Sequence, residues 1–396
     1  MEEIVRLAAR GDGATASGRM VPLAAPGDSV GEAGAVTPGP HHVTPPCRHF
    51  PRCGGCQLQH VDDASYAGFL RDRIAGALAA QGISAPAIRS PHLSPPRTRR
   101  RVSLRAERIG KRVILGFNEE ASHRIVDMAQ CEIMTPELFA LVAPLRAMLL
   151  SLMTGKSRVS AMMTLTDQGV DVALEGVDAQ GLAAADAIAD FGKAHHVARF
   201  TIDEGYGAET RWEPEPVTIH LGGVAVPFPP GGFLQATADG EAALIAAVRE
   251  AIGDAARIAD LFAGLGTFAL ALSGSTQLHA VEGARDAALA LSGAAKRAQR
   301  RVAVEHRDLF RRPLTAKELE GFAAIVLDPP RAGAKEQAPA LAASGIARIA
   351  YVSCNPATFA RDARVLIDGG YRLDWVQPVG QFRWSTHVEL VASFVR

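Results

Sequence analysis

The chain has 396 residues, 42 Lys and Arg against 42 Asp and Glu, and 48% hydrophobic residues. That length gives two or three domains with ample core. The balanced charge excludes a uniformly basic nucleic-acid coat protein, and 21% charged residues excludes bulk disorder, although local patches stay open. Met1-Glu2-Glu3-Ile4 has no basic start before an apolar core. The longest apolar stretch, 138–153, is interrupted by Pro144 and Arg146. Neither a secretory signal nor a membrane span is expected, and the chain reads as cytoplasmic. Five cysteines without a signal peptide make a poor disulfide framework, so metal binding or thiol chemistry is the better default.

Residues 1–46 lack Phe, Tyr and Trp and end in Thr44-Pro45-Pro46, which suggests a minor module or arm plus a linker. The dense Cys/Gly loop CRHFPRCGGCQLQH follows at 47–60. The segment 62–81 reads as a helix, capped by Asp62 or Asp63, with Phe69, Leu70, Ile74 and Leu78 near helical spacing. The window 97–112 holds eight cations against one acid, Glu107, and turns at Gly110 between two apolar runs, as a hairpin would. From about residue 257 short apolar runs alternate with helical patterns. Strands are expected at 257–263, 278–282, 302–307, 323–327 and 347–353, and helices at 284–300, 336–343 and 356–368. This alternation implies a parallel, doubly wound α/β sheet. Two last strands, 371–377 and 387–395, have no good helix between them and would form an antiparallel hairpin at the sheet edge. That arrangement is the class I methyltransferase version of the Rossmann-like fold.

Four motifs fall at strand ends of this unit. In DLFAGLGTF, 260–268, Gly264 and Gly266 allow a ligand to approach the backbone between a strand and a helix. Glu282 ends the next strand, where a carboxylate can accept from two ribose hydroxyls, and Asp308 follows the third, where it could face an adenine amino group. Acids at successive strand ends fit S-adenosylmethionine better than NAD, because Ala269 stands where a third glycine is needed. In LDPPRAG, 327–333, two prolines hold Asp328 at the ligand edge, while Arg331 takes the place of a base-stacking aromatic. In VSCNPATFARD, 352–362, Cys354 precedes a helix opened by Pro356, whose N-terminus favours a thiolate; the alternative is a buried core thiol. In THVELVASFV, 386–395, Glu389 begins an otherwise apolar strand; it either approaches the active edge or faces outward.

These four fit one reaction. Carbon 5 of uracil is a poor nucleophile until a thiolate adds at carbon 6; the activated carbon 5 takes a methyl group, a base removes its proton, and elimination releases the thiol. Elsewhere, Cys47, Cys53 and Cys56 with the distant Cys131 suit zinc or an iron–sulfur cluster, and three-plus-one spacing favours [4Fe–4S]. Arg97, Arg99, Arg100, Arg101 and Arg105 are candidates to face RNA phosphates, against the alternative of a solvated hairpin.

Taken together, CRHFPRCGGCQLQH, GFLQAT, DLFAGLGTF, LDPPRAG, VSCNPATFARD and THVEL resemble the RNA uracil-5-methyltransferase family from about residue 43 to the C-terminus. The resemblance implies that Cys354 is the nucleophile, Glu389 the base and Asp328 a pocket acid. It also implies cofactor contacts from Gln235, Phe262, Thr267, Glu282 and Asp308, and a [4Fe–4S] cluster on Cys47, Cys53, Cys56 and Cys131. That cluster is typical of ribosomal members, so 23S ribosomal RNA is the expected partner, with no membrane and no obligate protein partner evident. The division implied is a shortened TRAM-like segment at 1–46 with its later strands short or missing, a central α+β unit at 47–215 with the cysteines and the basic hairpin, and the methyltransferase unit at 216–396. The rival substrate is tRNA. A non-catalytic RNA-binding assembly factor would be expected to lack Cys354 or Glu389. A methyltransferase for another nucleobase or a small molecule fits the basic window poorly.

Overall fold

The computed structural model describes residues 1–396 except 85, 155, 156 and 275. Its largest element is a nine-stranded sheet whose carboxyl edge carries the sequence motifs. Five parallel strands run in the spatial order Val302–His306, Gln277–Glu282, Arg257–Leu261, Ala324–Leu327 and Arg348–Ser353. Glu389–Val395 follows, antiparallel to Arg348–Ser353 on one side and to Arg372–Gly380 on the other. Side-chain alternation divides the strands between two apolar layers. Ile349 and Tyr351 face one layer, Ala350 and Val352 the other. The second layer is closed by the helix Ala238–Ile252 and the hairpin Thr218–Leu221/Val224–Pro227, neither of which the sequence reading anticipated.

The expected terminal hairpin is present, but it is not the edge of the sheet. Ala87–Ile88 and His92–Leu93 add to Arg372–Gly380 in parallel, so the free backbone groups of that strand are covered by chain from the first quarter of the molecule. The helix Asp63–Ala80 belongs to the same unit. Asp62 caps it by accepting from Ser65 N–H at 2.8 Å. Its buried Tyr66, Phe69, Leu70, Ile74 and Leu78 lie in one apolar layer with Tyr351, Phe359 and Phe394. Residues 58–94, expected inside the central unit, are thus built into the methyltransferase sheet and its core. Periodicity shows that a helix has an apolar face, not which sheet that face covers.

The central unit is a six-stranded sheet in the order Ala208–Trp212, Val197–Asp203, Gly169–Glu175, Arg158–Thr166, Arg101–Ile109 and Arg112–Gly116. The hairpin around Gly110 is the last pair. Its core takes in Cys56 and, from the far end of the chain, Trp384. The N-terminal module holds five antiparallel strands: Glu2–Leu7, Gly13–Thr15, Met20–Val21, Ser29–Val30 and Val36–Thr37. Those expected to be short or missing are present, at two residues each. They are held by a small core of Ile4, Val21, Ala24 and Val30 and by Asp28, which accepts from Ala25 and Gly39 N–H.

Leu70 is fully buried beneath the sheet. Leu70→Ala is therefore expected to destabilise the methyltransferase unit by about 2–5 kcal/mol, read as a lower urea midpoint. A loss below about 0.5 kcal/mol, the usual limit for surface substitutions, would place the helix outside that core.

Candidate active site at the carboxyl edge of the sheet

The strand Arg257–Leu261 leads into a turn in which Phe262, Gly264 and Gly266 all have positive φ. At Gly266 φ is +96° and an added Cβ would lie 2.4 Å from Leu291 Cδ1, so glycine is strongly favoured. At Gly264 it would meet open space, which leaves the backbone accessible. Glu282 fixes this loop by accepting from Gly264 N–H at 2.7 Å and from Ala284 N–H at 2.6 Å. Each of its oxygens keeps a lone pair for a ligand. Thr267 opens the helix Thr267–Leu272. The Phe262 ring packs 5.5 Å from Phe310, and Asp308 caps the turn between them by accepting from Phe310 N–H at 2.9 Å.

The LDPPRAG loop is bound to the helix that follows Cys354. Asn355 Nδ2 and Thr358 Oγ1 both donate to Arg331 O at 3.1 Å. Buried Asp362 accepts from Ala334 N–H and the Tyr351 hydroxyl, each at 2.7 Å. Asp328 N–H donates to Leu261 O, bringing the acid beside the glycine turn. Cys354 lies between Arg348–Ser353 and the helix Pro356–Asp368. Ser353 is in register with Leu390, so Cys354 and Glu389, the next residues outward, stand across from one another at the end of the ladder.

Electrostatics at this edge are dominated by acids. Burial and the neighbouring Asp328 hold the Asp260 carboxyl well above the usual range, and among the described residues neither of its oxygens has a hydrogen-bond partner. Burial and Glu282 push Asp328 up to about 7. Burial and Asp328 push Glu389 up to about 8, against a hydrogen bond from Gln381. Cys354 corrects an expectation. Burial, then Glu389 and Asp328, push its thiol up, and the cationic Arg331 only partly opposes them. The helix N-terminus does not make a resting thiolate against two acids.

Gln235 is buried, with its side-chain oxygen accepting from Gln381 Nε2 at 2.7 Å. Gln381 is the site residue that the sequence reading missed. Its only signal there was a polar side chain between an apolar strand and the THVEL motif. The basic window also needs correction, because its cations are not one phosphate-facing row. Arg100 bonds Glu241 at 2.7 Å and Gln235 O at 3.1 Å, while Arg97 is paired with Glu132. Arg99 donates to Arg101 O and lies 5.1 Å from the Phe382 ring. Arg101 reaches Met162 Sδ at 3.3 Å and lies 5.5 Å from the Phe233 ring. Arg105 is exposed, with no ion pair among the described residues.

Cys47, Cys53, Cys56 and Cys131 line one pocket with Met128 and Phe117. Burial raises the Cys53 and Cys131 thiols and pushes Cys56 up to about 12. Four desolvated thiols have the donor chemistry of a sulfur-ligated centre. Among the described residues, however, no three Cys, His, Asp or Glu side chains close around a single metal ion.

The raised acids have a consequence for stability. In the folded chain Asp328 keeps its proton to about pH 7, whereas an unfolded carboxyl loses it near 4. The folded state binds more protons across that window, so stability without ligand should fall as pH rises through it. Urea unfolding against pH should show this slope, shallower in Asp328→Asn; an unchanged slope in the variant would refute the assignment.

The family model described as tRNA (uracil-5-)-methyltransferase matches residues 291–394. A Zymomonas mobilis protein named as an uncharacterized RNA methyltransferase is 51% identical, over the whole of both chains. The 23S rRNA (uracil(1939)-C(5))-methyltransferase of Thiobacillus denitrificans is 32% identical over 93% of this chain and 89% of its own. The solved Pyrococcus abyssi tRNA (uracil-54, C5)-methyltransferase, in complex with S-adenosyl-L-homocysteine, has the same fold, with a TM-score of 0.76 at 22% identity and full coverage of both chains. This chain belongs to the S-adenosylmethionine-dependent RNA uracil-5-methyltransferase family.

Proposed function

We propose that the chain methylates carbon 5 of a uridine in 23S ribosomal RNA, with Cys354 as nucleophile and Glu389 as base. The observation that carries this reading is the ladder end that sets Cys354 beside Glu389. The named activity of the Thiobacillus relative and the gathered cysteines support the ribosomal substrate.

Gln235, Phe262, Gly264, Gly266, Thr267, Glu282, Asp308 and Asp328 are assigned to hold S-adenosylmethionine, which supplies an electrophilic methyl group when bound. Open space at Gly264 and the spare lone pairs of Glu282 support that fit. The Cys354 thiol gives its proton to solvent, its Sγ forms a bond to carbon 6 of the flipped uracil, and the ring electrons shift to make carbon 5 nucleophilic. Once carbon 5 is methylated, Glu389 takes its proton. The electron pair left behind restores the 5,6 double bond and expels the Cys354 thiolate, and the Glu389 proton passes to solvent. Cys47, Cys53, Cys56 and Cys131 are assigned to a [4Fe–4S] cluster that shapes the protein and takes no part in this sequence. The exposed cations of the basic window are Arg97, Arg105, Lys111 and Arg112, and the last three, which have no ion pair among the described residues, are the ones left to meet RNA phosphates.

Labelled S-adenosylmethionine, offered with separate unmodified 23S and tRNA transcripts, should place 5-methyluridine in 23S RNA. Cys354→Ala should lose at least about a thousandfold, as removal of a nucleophile does. Glu389→Gln should stall as a denaturation-stable protein–RNA adduct. Label in tRNA alone would move the assignment to tRNA, and RNA binding without label would favour an assembly factor. Because Cys354 and Glu389 must both give up protons, the wild-type rate should rise with pH through about 8.

Protein prepared without oxygen should contain iron and acid-labile sulfide in equal amounts, lost in Cys56→Ser. Absence of iron from a folded, active preparation would refute the cluster assignment.

A further inference from the structure

We propose that Gln381 is a positioning residue that favours the carboxylate form of the base Glu389 against its acidic surroundings and turns the Gln235 amide toward the cofactor. The inference rests on the reading of Glu389 as the base. Gln381 lies one residue beyond the strand Arg372–Gly380 and is 1% exposed. Its carboxamide makes three contacts. Oε1 accepts from the Thr237 main-chain N–H at 3.3 Å. Nε2 donates to Gln235 Oε1 at 2.7 Å and to the Glu389 carboxylate.

The Thr237 contact decides which way the amide faces. A main-chain N–H can only donate, so the Gln381 oxygen must point to it. Reversing the amide would set two donors against each other in a buried place, which is unfavourable. The NH2 end is therefore committed to Gln235 and Glu389. Toward Glu389 it offers only hydrogens, which an ionised carboxylate accepts at either oxygen and which favours the charged form. Among the described residues no other group donates to Glu389. At Gln235 this bond turns the side-chain oxygen toward Gln381, so its own NH2 is the outward end, suited to an acceptor on a bound ligand. One amide thus sets the polarity of both the base and a cofactor contact.

The surrounding structure supports this placement. Thr237 caps the helix Ala238–Ile252. At Gly240, in its first turn, an added Cβ would lie 2.7 Å from Gln381 Cβ and 2.6 Å from Thr237 Oγ1, so the seat of the amide requires glycine there. Arg100, paired with Glu241 in the same turn, holds the Gln235 carbonyl from the other side.

The test compares wild type, Gln381→Met, Gly240→Ala and Glu389→Gln in single turnovers. Each receives labelled S-adenosylmethionine and whichever transcript, 23S or tRNA, the wild type methylates. Two products are followed from neutral to alkaline pH: the labelled denaturation-stable adduct and released 5-methyluridine. Met preserves the volume of Gln and removes only its polar end. Gln381→Met should still transfer methyl but accumulate adduct, with release about tenfold slower at neutral pH and the pH limb moved up by about one unit. Its affinity for S-adenosylmethionine should also weaken. Gly240→Ala, which displaces the amide without deleting it, should shift the same way and carries the test if Gln381→Met does not fold.

A wild-type release rate and pH limb in the folded variants would overturn the inference. So would an equal loss at every pH without adduct, the mark of a structural role alone. If Glu389→Gln releases product like wild type, the base assignment itself fails. If Glu389→Gln stalls while Gln381→Met does not, only the role of Gln381 fails.

Discussion

The register of the last strand is the constraint on which the active edge depends. Glu389–Val395 enters antiparallel between Arg348–Ser353 and Arg372–Gly380, and the pairing of Ser353 with Leu390 sets Glu389 across from Cys354. A slip of one residue would turn every side chain of the strand to the opposite face. Leu390 and Phe394 would leave one apolar layer and Val391 the other, so core packing on both sides enforces the alignment that the proposed chemistry needs. The acid and the thiol are positioned by burial of their apolar neighbours.

That alignment gathers Asp260, Glu282, Asp328 and Glu389 at one edge in a poorly solvated place. Like charges there disfavour ionisation, so the resting site keeps protons on several of these groups, and the Cys354 thiol with them. A positively charged ligand would reverse the balance. The proposed chemistry needs a free thiolate and a free carboxylate, and the resting site disfavours both.

Much of this architecture was legible in the chain. Alternation of apolar runs with helical patterns marked the parallel strands, and the acids after successive strands marked the ligand edge. Legibility stopped where identity depends on a distant partner. The helix Asp63–Ala80 displays its apolar face in sequence, but nothing local says that Tyr351 and Phe394 cover it. The arginines at 97–101 read as one patch because charge is visible in sequence, whereas Glu241 and Glu132, which pair two of them, lie far along the chain. Gln381 escaped notice because an amide has no spacing rule; its meaning lies in Thr237, Gln235 and Glu389. The four cysteines were legible as a set. Their spread around one pocket, without closure on a single ion, was not.

The strand and helix from residues 58–94 have a consequence for how the molecule is made. The Tyr66 hydroxyl donates to Phe382 O, 316 residues away in sequence, and Gln57 and Leu58 N–H donate to Trp384 O. During synthesis the first helix emerges long before the sheet that it covers exists. Its apolar face must wait, exposed, until the last strands leave the ribosome. Such long-range closure slows folding and lengthens exposure to aggregation. The first helix of the chain therefore becomes secure only when its last strand arrives.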